Sequence, residues 1–181
     1  MTLMVITPPA EAALSLAAAK DYLRIGHDGE DALVSKLIAA AEARLEATGG
    51  LALVTRTLKR GWTCWPRGIL RTGARLTPGP AASLVSVEIV DAEEATTLET
   101  SRFRLVDGKL ALRPFAALPV IPTGGRVDVT YTAGFGAAAD VPADLAQALK
   151  RLVLEAYRRE NGDTLPEEVT AAIDAHSGVH L

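Results

Sequence analysis

Apolar residues recur every three to four positions near the start of the chain, and this spacing predicts two helices. In residues 15–25 the repeat forms a short helix that Ser15 can cap. In residues 29–48 it forms a longer helix, with Asp28 as the predicted N-cap and a glycine pair as the stop signal. Each helix has one apolar side, so we expect both to pack against other helices.

The period changes to two after residue 50, which predicts a block of about five strands. In one of these strands, Val85, Val87 and Ile89 alternate with polar residues and are predicted to share a buried face. Asp107-Gly108 tolerates the positive φ of a tight turn and therefore predicts a hairpin. The strand segments are 51–65, 83–91, the two halves of 101–114, and 126–134.

Helical spacing returns in residues 142–160, and Pro166 suits the first turn of a short last helix that is followed by a tail. Helices at both ends and strands grouped in the middle predict an α+β fold. We expect a small helical bundle of the N-terminal and C-terminal helices with an antiparallel β insertion. The predicted organisation is a single domain over 1–181, with a β-rich insertion at 51–134 and a short helix and tail at 161–181.

Composition narrows the class of protein. Of the residues, 49% are apolar and only 4% aromatic, and the net charge of −3 argues against a general nucleic-acid binder. The single cysteine, Cys64, cannot form an intramolecular disulfide. The first residues lack the pattern of a signal peptide, and no apolar run is long enough to span a membrane. We therefore expect a soluble cytoplasmic protein without a membrane partner.

Charge is spread unevenly along the chain. Residues 51–80 contain six basic residues and no acid, whereas residues 133–181 contain eight acids and four bases. This asymmetry suits head-to-tail association of like subunits, although solvated faces explain the same pattern. We predict that three of the bases lie on an exposed loop or strand edge at a contact with another subunit or another protein: Arg67, Arg71 and Arg75.

One motif has the spacing of a dinucleotide-binding turn, G-x-G-x-x-A, formed by Gly134, Gly136 and Ala139. Two neighbours favour a structural turn instead: Asp140 puts a carboxylate where a phosphate should bind, and Pro142 delays the helix. No further strand follows, as a dinucleotide fold would require. The alternative of a nucleotide-binding enzyme is therefore weak, and we expect Phe135 to pack at a strand–helix junction.

No other residues form a catalytic or metal-binding constellation. His176 and His180 are four positions apart, which allows a shared helical face, but a frayed tail explains them better than a metal site. Trp62 and Trp65 flank Cys64, and we favour a place in the core of a small sheet over an exposed sticky surface. The sequence thus predicts no enzyme, no cofactor and no metal.

Two segments resemble a known family. They are Ser15–Ile25, S-L-x-x-A-K-x-Y-L-R-I, and Tyr131–Pro142, Y-T-A-G-[aromatic]-G-x-x-x-x-x-P. Together with the order of the other segments, they resemble the head–tail connector (adaptor) proteins of tailed phages, prophages and gene transfer agents. The resemblance covers most of the chain, but residues 60–125 and 161–181 add little to it.

The resemblance implies a structural virion protein, assembled in the bacterial cytoplasm and located at the head–tail junction. Copies would form a dodecameric ring under the portal protein, joined to a stopper or tail-completion protein, with DNA passing through the channel without specific binding. The C-terminal segment of such connectors docks on the portal, which implies contacts from Pro166, Val169, Ile173, His176, Val179 and Leu181. A generic protein-interaction module is the remaining alternative.

Overall fold

The computed structural model describes residues 2–91, 94–158 and 164–177. These residues form α-helices and antiparallel sheets, which confirms the predicted α+β fold. The chain divides into a strand unit, Met1–Pro8 with Thr55–Gly134, and a helical unit, Pro9–Val54 with Phe135–Leu181. The strand unit thus begins with the first residues of the chain. That the two units act as one connector domain stays a prediction.

In the part of the helical unit that the structure describes there are four α-helices: α1 (Leu16–Leu23), α2 (Asp31–Gly49), α3 (Ala143–Arg158) and α4 (Glu167–Ser177). Each lies where the sequence predicted a helix. Ser15 caps α1, because its Oγ accepts a hydrogen bond from the Ala18 amide at 3.2 Å. The left-handed conformation of Gly50, with φ of 59°, ends α2 at the predicted glycine pair.

Asp28 is not the N-cap of α2, so that prediction was wrong. The helix begins after Glu30, whose side chain makes no capping hydrogen bond. The Asp28 carboxylate instead accepts a hydrogen bond from Lys20 Nζ at 2.7 Å, and Lys20 also contacts Asp31 at 2.6 Å. The hydrogen bond from Lys20 lowers the pKa of Asp28, so a charged contact links the loop to α1.

The core of the helical unit lies between the apolar sides of α2, α3 and α4. Full burial of one such aliphatic side chain stabilises the fold by roughly 1.5–3 kcal/mol. Leu51 and Leu53, in the segment after α2, extend this core. Its helical members are Ala19, Val34, Ile38, Ala41, Leu45, Leu145, Ala148, Leu149, Leu152, Val153, Val169, Ala172 and Ile173.

The described residues of the strand unit form eight strands: β1 (Thr2–Thr7), β2 (Arg56–Trp62), β3 (Ala74–Arg75), β4 (Ala81–Val90), β5 (Ala95–Leu98), β6 (Phe103–Val106), β7 (Lys109–Leu112) and β8 (Arg126–Ala133). Five form a sheet in the order β1-β2-β8-β4-β5, and three form a sheet in the order β3-β7-β6. All neighbouring strands are antiparallel. The central strand β8 is buried along most of its length.

The predicted hairpin joins β6 to β7. Asp107 and Gly108 have φ of 50° and 68°, the pair of positive values that a two-residue hairpin turn needs. Val106 pairs with Lys109 across the turn. The hairpin turn predicted from Asp107-Gly108 is therefore confirmed.

The predicted buried face of β4 was wrong at one residue. Val87 and Ile89 are buried as expected, but Val85 is 50% exposed. Leu84 pairs with Tyr131 and Ser86 pairs with Thr130, so Val85 is an extra residue with no partner of its own in β8. This β-bulge reverses the alternation of faces, and the side chain of Val85 points to solvent.

Tyr131 is fully buried in β8, and its hydroxyl donates a hydrogen bond to the Pro78 carbonyl at 3.2 Å. Burial raises the pKa of Tyr131 to about 12. Since the unfolded chain releases this proton near pH 10, the stabilisation is complete below pH 10 and is lost as the pH rises to about 12. Between pH 10 and about 12, we expect this group to lower the free energy of unfolding of the unmodified chain by roughly 2 kcal/mol. Tyr131→Phe should lack this decrease. Urea unfolding at several pH values across the interval measures both proteins. Equal losses in both proteins would contradict the expectation.

Candidate functional site

The turn between β8 and α3 has a backbone conformation that glycine permits. Gly134 and Gly136 have φ of 132° and 141°, values that other residues rarely adopt. The Gly134 amide donates a hydrogen bond to the Pro80 carbonyl at 2.9 Å. The Phe135 amide donates to the Leu53 carbonyl at 3.1 Å. The first bond lies within the strand unit and the second within the helical unit.

A carboxylate of the chain itself fills the space where the nucleotide hypothesis needs a phosphate. Asp140 Oδ2 accepts a hydrogen bond from the Ala137 amide at 2.9 Å. A Cβ atom at Gly136 would overlap with the same carboxylate, so the glycine lets the acid approach the backbone. The helix α3 begins only at Ala143, after the motif and after Pro142. This geometry repels an anion and gives no support to nucleotide binding.

Phe135, in the turn before α3, contacts His176 near the end of α4. The edge of one ring meets the face of the other, with centroids 5.7 Å apart and an interplanar angle of 87°. His176 Nε2 also lies 2.8 Å from Asp144 Oδ2, in the first turn of α3. His176 is half-buried by these contacts and helps to hold α4 against α3.

Two residues expected at a portal contact lie in the core instead. Val169 is 0% exposed and Ile173 is 4% exposed, because their side of α4 packs against α2 and α3. Neither side chain can reach a partner while α4 keeps this position. Pro166 is half-buried just before α4, whereas Val179 and Leu181 lie outside the described residues. The exposed positions of the helix are Glu167, Glu168, Thr170, Ala171, Asp174 and Ala175.

Arg67, Arg71 and Arg75 are all exposed, as a contact role requires. The first two lie in the loop between β2 and β3, and Arg75 lies on β3, an edge of the three-stranded sheet. Their contact with another protein stays a prediction.

The sequence did not predict a group of side chains that surrounds Arg71. Arg71, Arg104 and Arg113 line a depression of about 380 Å³ together with Leu70 and Phe115. Both apolar side chains are exposed, and Phe115 has a positive φ of 67°. The three arginines come from separate segments, so only the folded sheet brings them together.

Both tryptophans belong to the strand unit, but the predicted core position is confirmed only for Trp62, since Trp65 is half-buried. Trp62 is buried, with the Arg60 guanidinium 5.5 Å from the ring centroid. Trp65 stacks on Phe103 at 6.0 Å and donates a hydrogen bond to the Pro119 carbonyl at 2.9 Å. Cys64, between them, is exposed.

The helical unit has an open groove of about 600 Å³ between α1, α3 and α4, lined by Tyr22, Gln147, Arg151 and Glu168 among others. In the groove Arg151 Nε lies 3.1 Å from a Glu168 oxygen. Across residues 2–91, 94–158 and 164–177, no group of three His, Cys, Asp or Glu side chains could hold a metal ion. Within the same ranges, no helix is both long and apolar enough to cross a membrane.

Comparison with solved structures finds chains of similar fold along the full length of this one. A chain from the neck of an empty gene transfer agent particle, computed with C6 symmetry, is 33% identical with a TM-score of 0.80; the match covers 97% of this chain and 94% of that one. A chain from the virion of a native gene transfer agent particle is 32% identical with a TM-score of 0.83, covering 100% and 97%. A chain from the neck of the native particle, computed with C12 symmetry, is 32% identical with a TM-score of 0.79, covering 97% and 94%. No family model and no curated protein matches the chain.

Proposed function

Since this chain belongs to the structural neck proteins of gene transfer agent particles, we propose that it is a head–tail connector (adaptor) that joins the DNA-filled capsid to the tail. The observation behind the proposal is similarity over the whole length at 32–33% identity. Because nearly all of both chains is matched, the strand unit and the helical unit both have counterparts in the neck protein. The proposed role is structural and requires no catalytic residues.

The proposed assembly is a ring of identical copies, a dodecamer beneath the portal. Support comes from the C6 and C12 symmetry of the related neck structures. A ring needs two different surfaces that meet, since each copy has one neighbour on either side. The exposed arginines of the strand unit, Arg67, Arg71 and Arg75, offer a basic patch for contact with an acidic surface of a neighbouring copy or of the tail.

The proposed partners are the portal protein on one side and a stopper or tail-completion protein on the other. The segment Leu165–Leu181 remains our candidate for the portal contact, through the exposed side of α4. Glu167, Glu168 and Asp174 make this side acidic. The acidic surplus of the whole chain also suits a channel through which DNA passes without binding. We place the protein at the head–tail junction of the particle, after assembly in the bacterial cytoplasm.

The alternatives predict different observations. A nucleotide-binding enzyme using Gly134, Gly136 and Ala139 would need an anion site, but the Asp140 carboxylate occupies that position. A generic interaction module would have no affinity for a portal protein.

Co-purification distinguishes the connector from these alternatives. The tagged chain should retain the portal protein that is encoded in the same gene neighbourhood. No retention, together with thermal stabilisation by NAD, FAD or ATP, would contradict the connector proposal.

Charge reversal tests the arginine contact. We expect the combined change of Arg67, Arg71 and Arg75 to glutamate to reduce the yield of tailed particles at least tenfold, because an interface with reversed charge repels its acidic partner. The change should leave the free energy of unfolding within about 1 kcal/mol, since the side chains are exposed. The yield is measured by counting tailed particles in electron micrographs.

A matched control reverses exposed bases of the helical unit, Lys36 and Arg158. This control should assemble particles at the normal yield. Equal yields from the arginine variant and the control would mean that Arg67, Arg71 and Arg75 are not part of the interface.

A further inference from the structure

The β1 edge, Thr2–Thr7, is an apolar strand that lies open at the margin of the five-stranded sheet. All six residues are exposed, and four consecutive apolar side chains, Leu3 to Ile6, are 46–61% exposed. Edge strands of soluble proteins are normally protected by charges, prolines or a covering segment. The strand contains no charge and no proline. A bulge at Ile6 interrupts only its end, so Thr2–Val5 remains a regular edge.

Both faces of the β1 edge could be covered by one added strand. Leu3 and Val5 lie on the same face as their β2 partners Arg60 and Leu58, whereas Met4 lies on the opposite face beside Lys59. An added strand would form main-chain hydrogen bonds along the edge and would bury part of the apolar side chains on both faces. An apolar strand exposed on both faces therefore indicates a protein partner.

The other margin of the same sheet is the β5 edge, Ala95–Leu98, which has no further strand among the described residues. Exposed acids flank it, namely Asp91, Glu94 and Glu99. The neighbouring strand β2 carries three bases, Arg56, Lys59 and Arg60, of which Arg60 pairs with Leu3 of β1 and Lys59 forms an ion pair with Glu88 of β4 at 3.1 Å. The two margins of one sheet thus differ in charge, and opposite charges favour contact between the β1 edge of one copy and the β5 edge of another.

The direction of the strands also permits a closed ring. Every neighbouring pair in the sheet is antiparallel, so β1, β8 and β5 run in the same direction. Rotation about an axis along the strands keeps that direction, so the β5 edge of one copy would meet the β1 edge of the next in parallel. The contact joins two different surfaces, as a ring requires.

We propose that the β1 edge of each copy adds to the β5 edge of the next copy, so that the sheets join head to tail around the ring. The proposal rests on the connector function proposed above, and it names the surface through which the copies associate. It assigns the exposed apolar strand an occupant, a second copy of this chain.

Cysteine pairs in assembled particles test the contact. In a Cys64→Ser background, Met4→Cys is combined with Thr97→Cys or with Ala95→Cys, because all three positions belong to the same face of the joined sheet. Adjacent strands are about 4.8 Å apart, a spacing that a disulfide can bridge. We expect at least one pair to give a ladder of covalent multimers on mild oxidation. The ladder is read on a denaturing gel without reductant.

The matched control combines Met4→Cys with Thr96→Cys, which lies on the opposite face of β5. It should give no ladder, and a ladder of equal strength there would overturn the inference. Rings seen in intact particles without any ladder would overturn the β1–β5 contact alone. Particles with no copy of the chain would overturn the connector function and this inference together.

A second variant tests the contact without chemical cross-linking. Val5→Glu places a negative charge on the β1 edge, opposite the acids that flank the β5 edge, and Leu33→Glu places one on a similarly exposed residue of α2. Both variants should fold with the normal circular dichroism spectrum. We expect Val5→Glu to reduce the incorporation of the chain into particles at least tenfold and Leu33→Glu to leave it unchanged. Normal incorporation of Val5→Glu would contradict the proposal.

Discussion

Replacing Ile173 with alanine should lower the free energy of unfolding by about 2–5 kcal/mol. Ile173 lies on the inner side of α4 and is 4% exposed in the core that α4 shares with α2 and α3. The truncation would remove buried apolar surface and leave a cavity that neighbouring side chains fill only in part. Urea unfolding followed by circular dichroism measures the loss.

Leu33→Ala is the control for this change, because Leu33 is an aliphatic helical residue that is about half exposed. Its loss should stay below about 1 kcal/mol. A small loss at both positions would mean that Ile173 is not held in the core, and the side chain would again be available for a portal contact.

Replacing Gly136 with alanine should cost at least about 1–3 kcal/mol of stability, since φ of 141° is strained for any residue with a Cβ. The added Cβ would also overlap with the Asp140 carboxylate, which then has to leave its hydrogen bond to the Ala137 amide. The connection from β8 to α3 would move as a result. Thermal unfolding of the purified variant measures the effect.

Two further variants separate backbone strain from the overlap. Gly26→Ala adds a Cβ where no atom lies within 4 Å, so its effect should stay within about 1 kcal/mol. The double variant with Gly136→Ala and Asp140→Gly removes the overlap and should recover part of the loss. No recovery in the double variant would mean that the carboxylate does not determine the choice of glycine.

The helices and the hairpin were predictable because their signals are local. An apolar residue every three to four positions is enough to define α2 and α3 in outline, and Asp107-Gly108 defines a turn by backbone preference alone. The N-cap of α2 was missed because Lys20, from another helix, takes the Asp28 carboxylate. Competition from a residue distant in the sequence is invisible to a local pattern.

The strands that depend on distant partners were harder to predict. Thr2–Thr7 has no alternation of apolar and polar residues, and it becomes a strand because β2 pairs with it. The bulge at Val85 likewise arises from pairing with β8, so alternation along β4 alone could not indicate it. In both places the tertiary structure determines which side chains are exposed.

The candidate contact residues show the same limit. The apolar positions Val169 and Ile173 have helical spacing, and this spacing is the same whether a helix faces a core or a partner. Because α4 packs against α2 and α3, both residues lie in the core. By contrast, the exposure of Arg67, Arg71 and Arg75 agrees with their clustering in an acid-free segment. Their neighbour Phe115 could not be found, since it has no pattern of its own.

The most direct test of the connector function is the structure of the neck in particles made with and without this chain. Cryo-electron microscopy of the complete particles should show the chain as a ring between the portal and the tail, and deletion of its gene should give filled heads without tails. Tailed particles that form normally in the deletion strain, with no density for the chain at the neck, would contradict the account.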